Sequence, residues 1–85
     1  MPLYLYRMKN FTVEADSATF EFNTMNIQRL QLFQVYVTHN GEKKRFHMQV
    51  NDQGDFKITD PQSCPEEYHR TEEQLNKAIQ IYGKP

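Results

Sequence analysis

At 85 residues the chain has the size of one domain, and a chain this short buries only ~60–65% of the surface its unfolded form exposes, so its core is thin. Ten basic against eleven acidic residues leave a formal net charge of −1, which excludes a global field that would gather a polyanion or hold the chain on an anionic membrane. A single cysteine, Cys64, excludes an internal disulfide framework and a cysteine-based zinc site.

Leu3 to Met8 reads as a first strand, although its Leu-Tyr-Leu-Tyr run does not reveal which face is buried. Phe11, Val13 and Ala15 then alternate with polar residues, as do Ala18, Phe20 and Phe22, and Asp16-Ser17 joins the two runs as a hairpin turn weaker in type than Asn-Gly. The strongest local signal is His39-Asn40-Gly41-Glu42, where Asn-Gly suits the two positive φ values of a type I′ turn. With Asn40 and Gly41 as the loop, Val37 faces Lys44, Val35 faces Phe46, Phe33 faces Met48 and Gln31 faces Val50, so the apolar residues share one side.

A further turn at Asp52-Gln53-Gly54, with Gly54 in the left-handed region, sets Val50 opposite Phe56 and Met48 opposite Ile58. Pro is absent from position 3 to position 60, as a hydrogen-bonded ladder requires. After Asp60-Pro61 the period changes. Tyr68, Leu75, Ala78, Ile79 and Tyr82 recur at helical spacing, with Glu72, Glu73, Asn76, Lys77 and Gln80 on the other side.

Thr71 and Gln74 read as a capping box and Gly83 as a C-terminal cap, which places the helix at about 72–82. A preceding turn is expected near Pro65, with Ser63 and Glu66 as an alternative box. The expected fold is therefore α+β: an antiparallel meander of five or six strands over about 3–59, with one C-terminal amphipathic helix packed on its apolar face, all in a single domain spanning 1–85.

A helix ~10–12 Å wide covers about two or three strands spaced ~4.8 Å apart. Five or six strands thus demand that the sheet curl around the helix, that twist and large Phe side chains close the core, or that another chain cover the remainder. Self-association would centre on Phe11, Phe20 and Phe22, whereas a curled sheet would leave room for a cavity at its open end.

The opposite sheet face brings Tyr36 across from Arg45 and Gln34 across from His47, with Lys43, Gln49 and Lys57 on the same side. Tyr36, Lys43, Arg45, His47 and Lys57 form the candidate binding surface. The competing interpretation is a solvated face that keeps the sheet soluble. Lys43, Lys44, Arg45 and Lys57 also suggest phosphate contacts with Tyr36 as a stacking plane, so single-stranded nucleic acid is the alternative partner, ranked below protein.

Cys64 and His69 invite comparison with a thiol–imidazole pair, but no glycine-rich elbow accompanies them, and a small Cys/His enzyme ranks last. His39, His47 and His69 lack metal-ligand spacing, and Asp52 to Asp55 is turn chemistry rather than a calcium loop. Glu66, Glu67, Glu72 and Glu73 suit the positive end of the helix. No catalytic residue, cofactor or metal is assigned. The sequence points to a non-enzymatic binding or protein-interaction module with an unknown protein partner or self-association, with no membrane span and a cytoplasmic location by default.

Overall fold

The alternating segments fold as their periods require. The computed structural model describes residues 10–24 and 32–83. Strands β1 (Asn10–Ala15), β2 (Ala18–Thr24), β3 (Leu32–His39), β4 (Glu42–Val50) and β5 (Phe56–Ile58) are followed by 3₁₀ segments at Pro61–Ser63 and Glu66–Thr71 and by helix α1 (Glu72–Tyr82). The strands form one five-stranded antiparallel meander in the order β1-β2-β3-β4-β5, on which the C-terminal helix packs. The strand expected at Leu3 to Met8 and the pairing of Gln31 with Val50 lie outside the described residues.

Turn chemistry sets the β1–β2, β3–β4 and β4–β5 registers. Asn40 and Gly41 take φ of 53° and 80°, and β3 pairs with β4 so that Val37 meets Lys44, Val35 meets Phe46 and Phe33 meets Met48. Asp16 and Ser17 also hold positive φ, 49° and 64°, and pair Ala15 with Ala18. Neither is glycine, so this turn carries backbone cost that the flanking ladder offsets. Gly54 is left-handed at φ 84°, and Asn51 braces its loop by accepting the Gln53 and Asp55 amides on Oδ1 at 2.9 and 3.0 Å. Val50 accordingly meets Phe56 and Met48 meets Ile58.

The inward residues make a closed aromatic core. Phe20, Phe22, Phe33 and Phe46 are 0% exposed, together with Met48, Leu75 and Ile79. Ring contacts cross the sheet: Phe11 stacks on Phe22 at 4.7 Å, Phe22 meets Phe33 edge-on at 6.4 Å, and Phe33 meets Phe56 edge-on at 5.4 Å. Phe20 and Phe22 are therefore unavailable as a dimer surface, and of the three expected there only Phe11 lies toward the sheet margin.

The mismatch between one helix and five strands is resolved by curling. A flat sheet would separate β1 and β5 by ~19 Å, yet α1 packs against both. The Thr71 hydroxyl donates to Asp16 in the β1–β2 turn, Tyr82 lies 5.9 Å from Phe11, and the other flank of the helix meets β5. No partner chain is needed to bury the aromatic face, because twist and large side chains bring both margins to one helix.

Three details at the helix ends differ from the sequence expectation. The 3₁₀ segment runs directly into α1, so Thr71 is already helical (φ −82°, ψ −9°) and makes no capping bond. A capping side chain needs an extended backbone, and the Thr71 hydroxyl is spent on Asp16 instead. Pro65 precedes the 3₁₀ segment without a side-chain cap, so the Ser63–Glu66 box is also absent. Gly83 closes the helix with its amide on the Ile79 carbonyl at 2.8 Å, but its φ is −94° rather than left-handed. Glycine is required there by proximity, since an added Cβ would stand 2.7 Å from Cζ of Phe33.

Candidate functional site

With the aromatic residues of the apolar face buried, the outer face of the sheet is the candidate surface. It is built from the residues between the core positions, and cross-strand pairing places Tyr36 between Glu21 and Arg45, Gln34 beside His47, and Lys57 beside Gln49. The five candidate residues thus occupy neighbouring positions on β3, β4 and β5.

Their charges are unevenly matched. Lys43 Nζ sits 5.2 Å from the centre of the Tyr36 ring and 3.5 Å from Glu21, a cation held between a π face and a carboxylate. Lys57 stands 3.8 Å from Glu72, and Lys44 stands 2.9 Å from Glu42, whose carboxyl it holds below the ordinary value by hydrogen bond and charge. Arg45 is exposed and, among the described residues, has no carboxylate within 4.0 Å. Among the described residues, the guanidinium is thus an unmatched cation at the centre of a surface whose lysines are locally matched.

His47 has a local structural partner. Its amide donates to Oδ1 of Asp60 at 2.7 Å and its Nδ1 to Oδ2 at 3.0 Å, while its carbonyl accepts the Thr59 amide at 3.0 Å. This double grip pins the segment after β5 to β4. A sequence reading pairs strand residues by period and has no signal for a carboxylate arriving from the following loop.

A second region is an open groove of about 790 Å³ bordered by His39, Lys44, Cys64, Glu67 and His69. It contains the thiol and imidazole, but they do not form a catalytic pair. His69 Nε2 lies 2.9 and 3.0 Å from the carbonyl oxygens of Pro61 and Cys64, so it carries the proton and donates to them. The thiol donates to the Pro65 carbonyl at 3.6 Å. Burial, reinforced by the negative charges of Asp60 and Glu72, pushes the Cys64 thiol up from 9.0 to about 12. A neutral, buried thiol lacks the thiolate that nucleophilic chemistry uses.

Two measurable results follow for Cys64. At pH 8 the native protein is expected to resist alkylation by iodoacetamide, with labelling appearing only on denaturation. Because the fold keeps the proton while the unfolded chain loses it above about pH 9, stability falls as pH rises from 9 toward about 12. Urea midpoints over pH 8–11 should therefore decline more steeply for the native sequence than for Cys64→Ala, and parallel declines would contradict the assignment.

The groove at His39 is similarly occupied by structural contacts. The ring packs edge-on against Tyr68 at 5.8 Å and Nδ1 stands 3.6 Å from Glu67. Among the described residues there is no group of three or more His, Cys, Asp or Glu side chains arranged to hold a metal ion, and no helix long and apolar enough to cross a membrane.

The sheet margins also differ from one another. At β5, the Phe56 amide donates to Asn76 Oδ1 at 2.7 Å, the Ile58 amide to Glu72 Oε2 at 2.8 Å, and Gln80 donates to the Gly54 carbonyl at 2.8 Å. Residues that the helical period assigns to a solvent face instead complete the edge of the sheet. Asn76 is buried as a result. The chain matches no known protein family, and neither the curated proteins nor the solved structures include one similar to it at a significant level.

Proposed function

We propose that the protein is a non-enzymatic protein-interaction module whose partner docks on the outer face of β3 and β4, around Tyr36 and Arg45. The observation that carries this reading is the cross-strand pair itself: a half-buried tyrosine beside an exposed arginine that lacks an acidic neighbour within the described residues. Tyr and Arg are the side chains most often found at the energetic centres of protein interfaces, because each offers large contact area with a polar terminus. The curled sheet makes this face outwardly convex, a shape suited to a macromolecular surface rather than to enclosure of a small molecule.

Lys43 and Lys57 border that centre and His47 stands beside it, so an acidic patch on the partner would meet Arg45 first. The carboxylates beside Lys43, Lys44 and Lys57 favour this over nucleic acid, since phosphate tracking draws its affinity from cations free to replace counterions. The cytoplasmic assignment belongs to the same proposal and rests on the sequence alone.

Site-specific photo-crosslinking tests the reading. A benzophenone amino acid at Tyr36 is expected to capture a discrete protein from native cell extract, and Arg45→Glu is expected to reduce that product at least tenfold. The same probe at Gln53, in the distant β4–β5 turn, should not capture it. Equal capture from both positions, or insensitivity to Arg45→Glu, would contradict docking at this face.

A further inference from the structure

The β3–β4 turn sets an exposed asparagine amide beside an oriented imidazole. Asn40 is the only asparagine of the chain that is followed by glycine, and both turn residues are exposed. Asn40 Nδ2 lies 3.2 Å from Nε2 of His39. An amide nitrogen only donates, so Nε2 is the acceptor and the ring proton resides on Nδ1, 3.6 Å from a carboxylate oxygen of Glu67. Tyr68 packs edge-on against the same ring at 5.8 Å. The imidazole is therefore held from two sides, with its basic nitrogen at the side-chain amide.

Intramolecular deamidation requires such an arrangement. In an Asn-Gly sequence the glycine nitrogen closes a five-membered imide on the asparagine side-chain carbonyl carbon, a closure that a side chain on the second residue would hinder. Two features of this turn favour it. The His39–Glu42 pair closes the ladder outside the two loop residues, so the Gly41 amide takes no part in strand pairing. A Cβ built on Gly41 would meet nothing within 4 Å, which leaves space for the rotation that brings its nitrogen onto Cγ of Asn40.

We infer that Asn40-Gly41 is a self-modification site, converted to aspartate and isoaspartate with His39 as the proton carrier. The Gly41 nitrogen bonds to Cγ of Asn40 and gives its proton to Nε2 of His39 as the carbonyl π electrons move to oxygen. When that oxygen re-forms its double bond, the Cγ–Nδ2 bond breaks, and the imidazolium returns the proton to Nδ2, which leaves as ammonia. Both nitrogens are attached to Cγ in the intermediate, so a ring beside one is beside the other, as general acid–base catalysis needs. Water then opens the imide. Addition at Cγ leaves aspartate, and addition at the main-chain carbonyl leaves isoaspartate, with the backbone rerouted through the side chain. Each chain reacts once, and the inference is independent of the outer-face reading.

The two products alter the turn differently. Isoaspartate adds a methylene to the backbone of a loop whose residues, at φ 53° and 80°, set the β3–β4 register. Aspartate keeps the backbone path but replaces the amide donor to His39 with a carboxylate.

Timed incubation of the folded protein at pH 7.4 and 37 °C, read by peptide mass mapping with isoaspartyl methyltransferase labelling, tests both the site and the role of the ring. Product is expected at Asn40 ahead of every other asparagine. His39→Ala and His39→Gln are each expected to slow it at least about tenfold, with far-UV circular dichroism as the fold control. A variant that merely loosened the turn would react faster, so the direction of the change separates proton transfer from a structural role. Free imidazole should restore the rate of His39→Ala while leaving the native rate nearly unchanged. A native turn that stays intact while the urea-unfolded chain converts would overturn the inference. So would an equal or faster rate in the His39 variants, or a His39→Ala chain that imidazole fails to rescue.

Discussion

Phe33→Ala is expected to cost about 3–5 kcal/mol, a large share of the stability available to a domain of this size. The side chain is fully buried on the central strand, and its ring meets Phe11, Phe22 and Phe56 with centroids 6.0, 6.4 and 5.4 Å away. It also forms the surface against which Gly83 ends the helix. Truncation therefore opens a cavity at the junction of the sheet, β5 and α1. A domain of this length has roughly 4–13 kcal/mol in total, and a loss of this size lowers the melting temperature by roughly 15 °C or more.

Phe11→Ala provides the comparison, because Phe11 is only half-buried at the margin and should cost about 1–2 kcal/mol. Urea denaturation followed by circular dichroism measures both. A Phe33→Ala loss below about 1.5 kcal/mol would mean that its site can collapse and that the aromatic core is less closely shared than these contacts require.

The second large effect is expected at Asn76→Ala, although the residue is polar and lies on a helix. Its Oδ1 accepts both the Phe56 amide at 2.7 Å and Gln80 Nε2 at 3.0 Å. Removing it leaves a buried backbone donor without its acceptor, at a cost of about 1–3 kcal/mol. It also uncovers part of the β5 edge, so a greater tendency to aggregate should accompany the lost stability.

Glu72→Gln separates the acceptor from its charge. Glutamine retains an oxygen for the Ile58 amide while removing the partly exposed Lys57 pair at 3.8 Å, so the expected loss is within about 1 kcal/mol. Denaturant midpoints for the two variants should differ clearly. Equal losses would assign the helix–sheet contact to charge instead of edge completion.

These two sites mark where sequence pattern was sufficient and where shape took over. Asn40-Gly41 and Gly54 carry enough turn chemistry to define the pairings through Val35–Phe46 and Met48–Ile58, because a shift by one residue would reverse the buried face. The helix limits at Glu72 and Tyr82 also follow from the change of period. Periodicity alone, however, assigns Asn76 and Gln80 to solvent, since it cannot register that the curled sheet places an unpaired strand edge beside the helix.

The same limitation applies to the ends of α1 and to the candidate surface. Thr71 has a suitable capping side chain, but the preceding 3₁₀ segment fixes its backbone in a helical conformation and Asp16 takes its hydroxyl. The sequence places Tyr36 opposite Arg45 because strand register determines that relationship. It does not reveal that Asp60 grips His47, because that contact depends on the segment after β5 folding back onto β4.

The functional reading depends on α1 sealing the β5 edge and thereby closing the apolar face, leaving the outer face as the broad surface for a partner. Native-state hydrogen exchange at Phe56 and Ile58 measures this seal directly. Both amides are expected to be strongly protected, approaching the protection of the β3–β4 core, despite pointing away from β4. Exchange at the rate of an open edge would contradict the account, showing that the helix does not hold the edge and that the aromatic face must be covered in another way.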